Sequence, residues 1–325
     1  MGRFKWGVMS FAFVFPGQGS QSVGMLAALA AESPVVQETF AQASVALGYD
    51  LWQLVQQGPQ ESLNATERTQ PAMLAAGVAT WRVWHSRGGS DPAVVSGHSL
   101  GEFTALVCAG ALELQDAVDI VRFRGQVMQE AVPPGIGTTA AILGLPDEDV
   151  QTACREAAQG QVVEAVNFNS PGQVVIAGHT EAVQRAIELA KARGAKRGIV
   201  LPVSVPTHSS LMTAAAHKLE GRLAQTAIRA PRIQYISAVD ARTHSDPLDI
   251  GQLLVRQLFS PVRWWDTVRA LSALQVSHII ECGPGRVLTG LNRRIEKRAG
   301  LDFASIDDPR TLTAILDAVQ GAGNG

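Results

Sequence analysis

The sequence predicts an α/β protein, a larger core into which a smaller unit with its own rhythm is inserted. Three observations carry this prediction. Short apolar runs alternate with amphipathic stretches along the whole chain. At 325 residues, 46% apolar and only 17% charged, the chain exceeds a usual single domain and can bury a sizeable core. The alternation breaks at Pro133-Pro134-Gly135, and the stretch that follows has the order strand, helix, strand, strand, helix, strand.

The elements follow from local signals. Residues 11–15 read as a buried first strand. Arg3 and Lys5 ahead of the apolar stretch 6–15 resemble the start of a signal peptide, but Pro16-Gly17-Gln18-Gly19-Ser20 stands where a small-residue cleavage site belongs. Met9 is a second candidate start, and residues 1–8 carry no signal. Helical stretches follow to about Leu54. A helix is expected to begin near Pro71, since proline suits a first turn, and to stop before Gly88-Gly89. Strand 93–96 leads through Gly97-His98-Ser99-Leu100-Gly101 into a helix stopped by Gly110, and another helix covers about 115–128.

The insertion is expected over 132–205, between core segments 10–131 and 206–320. Its strands are placed at 138–143, 162–168, 173–177 and 199–203, with a turn at 169–172. One helix covers 146–158; a second covers 180–193, capped by Thr180 and ended by Gly194. This βαββαβ order is that of a ferredoxin-like unit, whose outer ends lie close enough for insertion. The core then resumes with helix 211–228, strand 233–237, helices near 248–258 and 263–274, and strand 278–281. A Gly283-Pro284-Gly285 turn, a helix, strand 303–306 and a final helix complete the chain.

Composition narrows the function. A formal charge of −2 and a pI of about 6.4 disfavour nucleic acid as a partner. Cys108, Cys154 and Cys282 are odd in number and contain no CxxC pair, so buried thiols in a reducing compartment are expected rather than disulfides or zinc. No apolar run reaches the ~18–20 residues that span a bilayer. A cytoplasmic monomer needing no metal or cofactor is expected.

Gly97-His98-Ser99-Leu100-Gly101 fits G-x-S-x-G between strand and helix, the context of a nucleophile elbow. Small neighbours let the turn lift the Ser99 hydroxyl out of the sheet and aim the Leu100 amide at a developing oxyanion. Serine needs a base. His208 is the most suggestive histidine, since it follows strand-like 203–205 and precedes a helix. Position alone leaves a solvated loop histidine open. His98 belongs to the elbow and is expected to be structural; His85, His179, His217, His244 and His278 have no motif around them. Gly17-Gln18-Gly19 lacks the third glycine of a dinucleotide loop, Ser22 standing in its place. It can instead offer a second amide to the oxyanion.

FPGQGSQ at 15–21, GHSLGE at 97–102, RGQVMQEAVP at 124–133, NFNSPGQ at 167–173, PVSVPTHSSLM at 202–212, VRQLFSPVRW at 255–264 and GPGRVLTGL at 283–291 occur in one order along nearly the whole chain. In these strings the chain resembles the malonyl-CoA:acyl carrier protein transacylase family of acyltransferases. That resemblance implies an α/β-hydrolase-like core carrying the ferredoxin-like insert. It implies Ser99 as nucleophile, His208 as general base and the Gln18 and Leu100 amides as oxyanion hole. Arg124 matches the arginine that holds the malonyl carboxylate, with Met128 also at the substrate, and the backbone carbonyl of Gln257 orients His208. Thr207 stands where serine is frequent, a small departure that leaves malonyl preference intact.

The implied reaction moves malonyl from malonyl-CoA through a serine ester to the thiol of acyl carrier protein, by a ping-pong path in fatty acid biosynthesis. A polyketide loader shares this chemistry. A thioester hydrolase is disfavoured by Arg124, and a non-catalytic binding module by Ser99, His208 and Arg124 together. An acidic carrier protein facing a nearly neutral chain needs local basic clusters: Lys191, Arg193, Lys196 and Arg197, or Arg293, Arg294, Lys297 and Arg298.

Overall fold

A computed structural model of the chain describes residues 10–133, 135–203 and 205–321. The signal-peptide-like start, the alternative start at Met9 and the Pro134 of the predicted break lie outside the described residues. The first segment runs β1 (Phe11–Phe15), α1 (Ala27–Glu32), α2 (Pro34–Leu47), α3 (Leu51–Gln57), α4 (Gln60–Asn64), α5 (Thr66–Ser86), β2 (Val94–Gly97), α6 (Gly101–Cys108) and α7 (Leu114–Glu130). The second comprises β3 (Gly137–Leu143), α8 (Asp147–Ala158), β4 (Val163–Ser170), β5 (Gln173–His179), α9 (Thr180–Ala192) and β6 (Arg197–Val200), the βαββαβ order read from the sequence. The third holds α10 (Thr213–Leu223), β7 (Gln234–Ser237), β8 (Arg242–His244), α11 (Pro247–Arg256), α12 (Trp264–Ala273), β9 (His278–Cys282), α13 (Val287–Ile295), β10 (Asp302–Ile306) and α14 (Pro309–Gly321).

Two sheets result. The first and third segments build one of order β10-β9-β1-β2-β7-β8, parallel except for the edge strand β8. The second segment builds a separate antiparallel sheet of order β4-β5-β3-β6. β1 is buried on both faces, which explains its unbroken apolar run. Phe11, Phe13 and Phe15 meet Trp81 and Trp84 of α5, mostly edge to face, with centroids 5.2–6.5 Å apart. Ala12 and Val14 pack on the opposite side with Val268, Leu271 and Leu288. The antiparallel sheet buries its own core, Ile142, Val150, Val174, Ile176 and Val183 among it. It is laced to the rest where Phe168 donates to the Val262 carbonyl and Val262 to that of Val166, both at 2.9 Å.

Several boundaries differ from expectation. α5 starts at Thr66, so Pro71 lies inside it; the Thr69 hydroxyl ties the first turn to the Leu63 carbonyl, and proline forfeits one helical bond there. β4 continues to Ser170, leaving Pro171 and Gly172 alone as the turn. Thr180 does not cap α9: its hydroxyl donates to the carbonyls of Gly135 and Ile136 and pins the helix start to the entry of β3. β6 ends at Val200, and after one further bond, Leu201 to Thr139, the chain leaves the sheet at Pro202, which has no N–H. Val203 and Val205 are therefore not strand. α10 is shorter than expected, ending at Leu223 before turns at Gln225 and Thr226.

Candidate active site

The parallel strands end at one edge, where β1 runs into Pro16-Gly17-Gln18 and β2 into His98-Ser99-Leu100. The two loops are drawn together by the His98 amide, which donates to the Phe15 carbonyl at 3.0 Å. The elbow requires its glycines. A Cβ on Gly97 would lie 1.9 Å from the carbonyl carbon of Gly101, and one on Gly101 would lie 2.0 Å from the Phe15 carbonyl oxygen. Ser99 itself is held at φ 53, a left-handed conformation that costs a non-glycine residue of order 1–3 kcal/mol. Its hydroxyl thereby stands at the mouth of α6, whose amino end favours negative charge.

His208 meets it from the far side. Its Nε2 lies 2.8 Å from Ser99 Oγ, and its Nδ1 lies 2.7 Å from the backbone carbonyl of Gln257. That carbonyl is available because α11 ends there in a tight turn, leaving terminal acceptors without helical partners. His208 is also left-handed, at φ 66, in a loop closed by the Thr207 amide on Val205 and the Ser209 hydroxyl on Pro206. It is buried, not a solvated loop residue. Burial, and then the nearby charge of Arg124, bring its pKa down to about 3, so the ring is neutral.

Arg124 reaches the same oxygen from α7. Its Nη2 donates to Ser99 Oγ at 3.3 Å and to Gln257 Oε1 at 2.9 Å, and its Nη1 donates to Gln70 Oε1 at 2.8 Å. The side chain is 2% exposed, stacks over Phe103, and leaves Nε buried without an acceptor. Burial brings its pKa down to about 10, still charged at neutral pH. No carboxylate forms an ion pair with it among the described residues. A free carboxylate is the group such a cation lacks.

Gln18, Ser99, Leu100, Arg124, Met128 and His208 line one cavity of about 120 Å³, to whose lining the second segment adds Val175 and Leu201. Neither the Gln18 nor the Leu100 amide donates to another group among the described residues. A second cavity, about 480 Å³, reaches His208 from another direction between Glu164, Phe168 and Phe259. A small acyl group fits the first cavity, and a long thiol-bearing arm needs more room.

Sequence reasoning missed two polar partners. Gln70 sits under the guanidinium, and Asn169 Oδ1 lies 2.9 Å from Nε2 of half-buried His98, whose pKa is lowered by desolvation. Neither belongs to a chemical motif; only the NFNSPGQ string touches Asn169. The elbow histidine, expected to be structural, is tied to Asn169 and also lines the cavity that holds Ser99. The basic clusters also resolve. Lys191 and Arg193 pair with Glu188 and Glu156. Arg294 donates to Gln173 Oε1, and Gln173, Leu143 and Arg197 lie side by side on β5, β3 and β6. Lys196 and Arg197 therefore share one end of the antiparallel sheet with Arg294, whereas the Arg293 guanidinium turns to the Phe303 carbonyl on β10.

Known proteins agree with this arrangement. The family model described as an acyl transferase domain matches residues 12–300. The chain is 56% identical over 306 residues to the malonyl CoA-acyl carrier protein transacylase of Salmonella typhimurium, covering 94% of this chain and 98% of that protein. It is 41% identical to the protein of that name from Bacillus subtilis, covering 95% and 97%. Among solved structures it is similar to an acyl carrier protein S-malonyltransferase from Vibrio cholerae, with TM-score 0.92, 56% identity and coverage of 94% and 99%. It is also similar to a malonyl-transacylase solved in complex with its holo type II PKS acyl-carrier protein, with TM-score 0.93, 52% identity and coverage of 95% and 99%. A half-buried serine, a neutral histidine and a cation without a carboxylate partner in one small cavity thus come with matching sequence over almost the full length, and the chain belongs to the acyl transferase family, among the malonyl CoA-acyl carrier protein transacylases.

Proposed function

We propose that this protein transfers the malonyl group from malonyl-CoA to the phosphopantetheine thiol of acyl carrier protein, through an ester on Ser99, in fatty acid biosynthesis. The reading is carried by one observation: an unpaired, buried guanidinium lies 3.3 Å from the Ser99 oxygen, so one three-carbon diacid can be esterified at one end and paired at the other. Ser99 Oγ attacks the thioester carbonyl while His208 Nε2 takes its proton. The oxyanion is stabilised by the Leu100 and Gln18 amides. The intermediate collapses to the ester, and the departing thiolate of coenzyme A takes the proton from His208. The carrier thiol then repeats the sequence in reverse, giving its proton to His208 and returning it to Ser99.

Pairing of the malonyl carboxylate with Arg124 does further work, because it cancels part of the positive field that depresses His208 and makes the ring a better base when a diacid is bound. Met128 closes the cavity beside the acyl chain. Serine-ester chemistry calls for no cofactor. The fold reading is an α/β-hydrolase-like core, 10–131 with 206–320, carrying a ferredoxin-like insert at 132–205. Support for it comes from the strand–elbow–helix around Ser99 and from the separate core of the antiparallel sheet. One chain supplies every group of the site, which fits a monomer, and three reduced buried thiols fit a cytoplasmic setting. Lys196, Arg197 and Arg294 form the surface we assign to the carrier protein. The second reading, loading of a polyketide carrier, is favoured by the type II PKS complex of a 52% identical relative.

The test is intact-mass measurement after incubation with malonyl-CoA, then with a pantetheinylated carrier. A malonyl adduct on Ser99 that persists in buffer and is discharged by the carrier supports transfer. An adduct that never forms, or that water alone removes, overturns it.

A further inference from the structure

We propose that Gln70 is a specificity-determining positioning residue: its amide oxygen holds the Arg124 guanidinium toward Ser99 without neutralising it. The proposal rests on the malonyl-transfer reading and says how the preference for a diacid is set. Gln70 is 1% exposed on α5, the helix that lies along α7. Its Oε1 accepts from Arg124 Nη1 at 2.8 Å, and its Nε2 is turned toward Met128 Sδ at 3.5 Å, which fixes which end faces the cation. On the opposite side of the guanidinium Gln257 presents another amide oxygen at 2.9 Å, while its own Nε2 donates to the Ser99 carbonyl at 3.0 Å.

The cation is thus gripped by two neutral acceptors. The buried carboxylate whose charge acts on it, Glu102, makes no ion pair with it: it accepts from Tyr235, Ser237 and the Ala238 amide, and the Gln257 side-chain amide lies between the two charges. Amide dipoles fix the position of a guanidinium and leave its full charge to attract the substrate; a carboxylate in either position would satisfy that charge before any substrate arrived. An arginine held in this way rejects neutral acyl groups because they leave it unpaired. A motif search passes over Gln70 because its partner lies 54 residues away.

The experiment compares wild-type protein with Gln70→Glu and Gln70→Met, measuring formation of the Ser99 ester from malonyl-CoA and from acetyl-CoA by rapid quench and intact mass. The ratio of kcat/KM for malonyl over acetyl should fall by about a hundredfold in Gln70→Glu and by about tenfold in Gln70→Met, the loss expected for a hydrogen bond to a charged group. A purely structural role would slow both substrates together and leave the ratio alone. Should the buried acid prevent folding, the neutral and similarly sized Gln70→Met decides the matter. A ratio within twofold of wild type in a folded variant overturns this proposal alone. A wild-type protein that takes no malonyl group overturns the transfer reading and this proposal with it.

Discussion

His208 makes folding stability depend on acid in a way that can be calculated. Its pKa is 6.5 when exposed and about 3 in the folded protein, because burial and the Arg124 charge oppose protonation. A depressed folded value means that this stability is complete above the unfolded pKa and is lost as pH falls toward the folded one. Each pH unit between the two costs about 1.4 kcal/mol, so a shift from pH 7 to pH 5 removes about 2 kcal/mol through this ring alone. His98, lowered by burial as well, adds a loss of the same sign. The perturbation that isolates His208 is His208→Asn, since asparagine tolerates the left-handed backbone at φ 66 and does not titrate. Urea unfolding of both proteins at pH 7 and pH 5 is the assay. Contributions from groups that do not interact with His208 cancel in the comparison, and the variant should lose about 2 kcal/mol less than the wild type. Equal losses would mean that the ring takes up its proton in the folded state, and the argument for a buried neutral base would fall.

Other predictions rest on separate contacts. Arg124→Ala should lower malonyl kcat/KM by about 10²–10⁴-fold, the worth of two charge-assisted hydrogen bonds, with a much smaller effect on acetyl-CoA; equal losses in steady-state assays would refute the carboxylate role. Gly101→Ala should destabilise by about 3 kcal/mol or more, because its Cβ meets the Phe15 carbonyl oxygen at 2.0 Å; an unchanged Tm would show that the elbow has room. Reversing charge with Lys196→Glu and Arg197→Glu should weaken discharge to the carrier protein and flatten its salt dependence, while loading from malonyl-CoA continues; an equal effect on both half-reactions would remove the docking assignment.

The sequence was most legible where one physical pressure acted alone. β1, β2 and β9 are flanked by helices and read as apolar runs between turn residues. The βαββαβ segment was legible because both its helices are strongly one-sided and its strands are separated by proline and glycine. Boundaries failed where tertiary contacts overrode a local signal. Pro71 marked a start that Thr69 and its neighbours had already made, and the Thr180 hydroxyl found carbonyls outside its helix. β8 escaped notice because its three residues, Arg242–His244, are an exposed polar edge with no apolar alternation. In the site, Ser99 was legible from its glycines, which sterics demand. His208 was only suggestive, because its environment is assembled from α11, α7 and the elbow, none of them adjacent in sequence. Gln70 was invisible, since a glutamine facing a distant arginine leaves no local trace.

The pairing of Ser99 with His208 spans 109 positions, and that of Gln257 with Ser99 spans 158. During synthesis the hydroxyl therefore leaves the ribosome long before the imidazole that activates it, and longer still before the carbonyl that orients the imidazole. The hydroxyl of the first third meets its base only when the middle third brings His208 and the final third brings Gln257 against it.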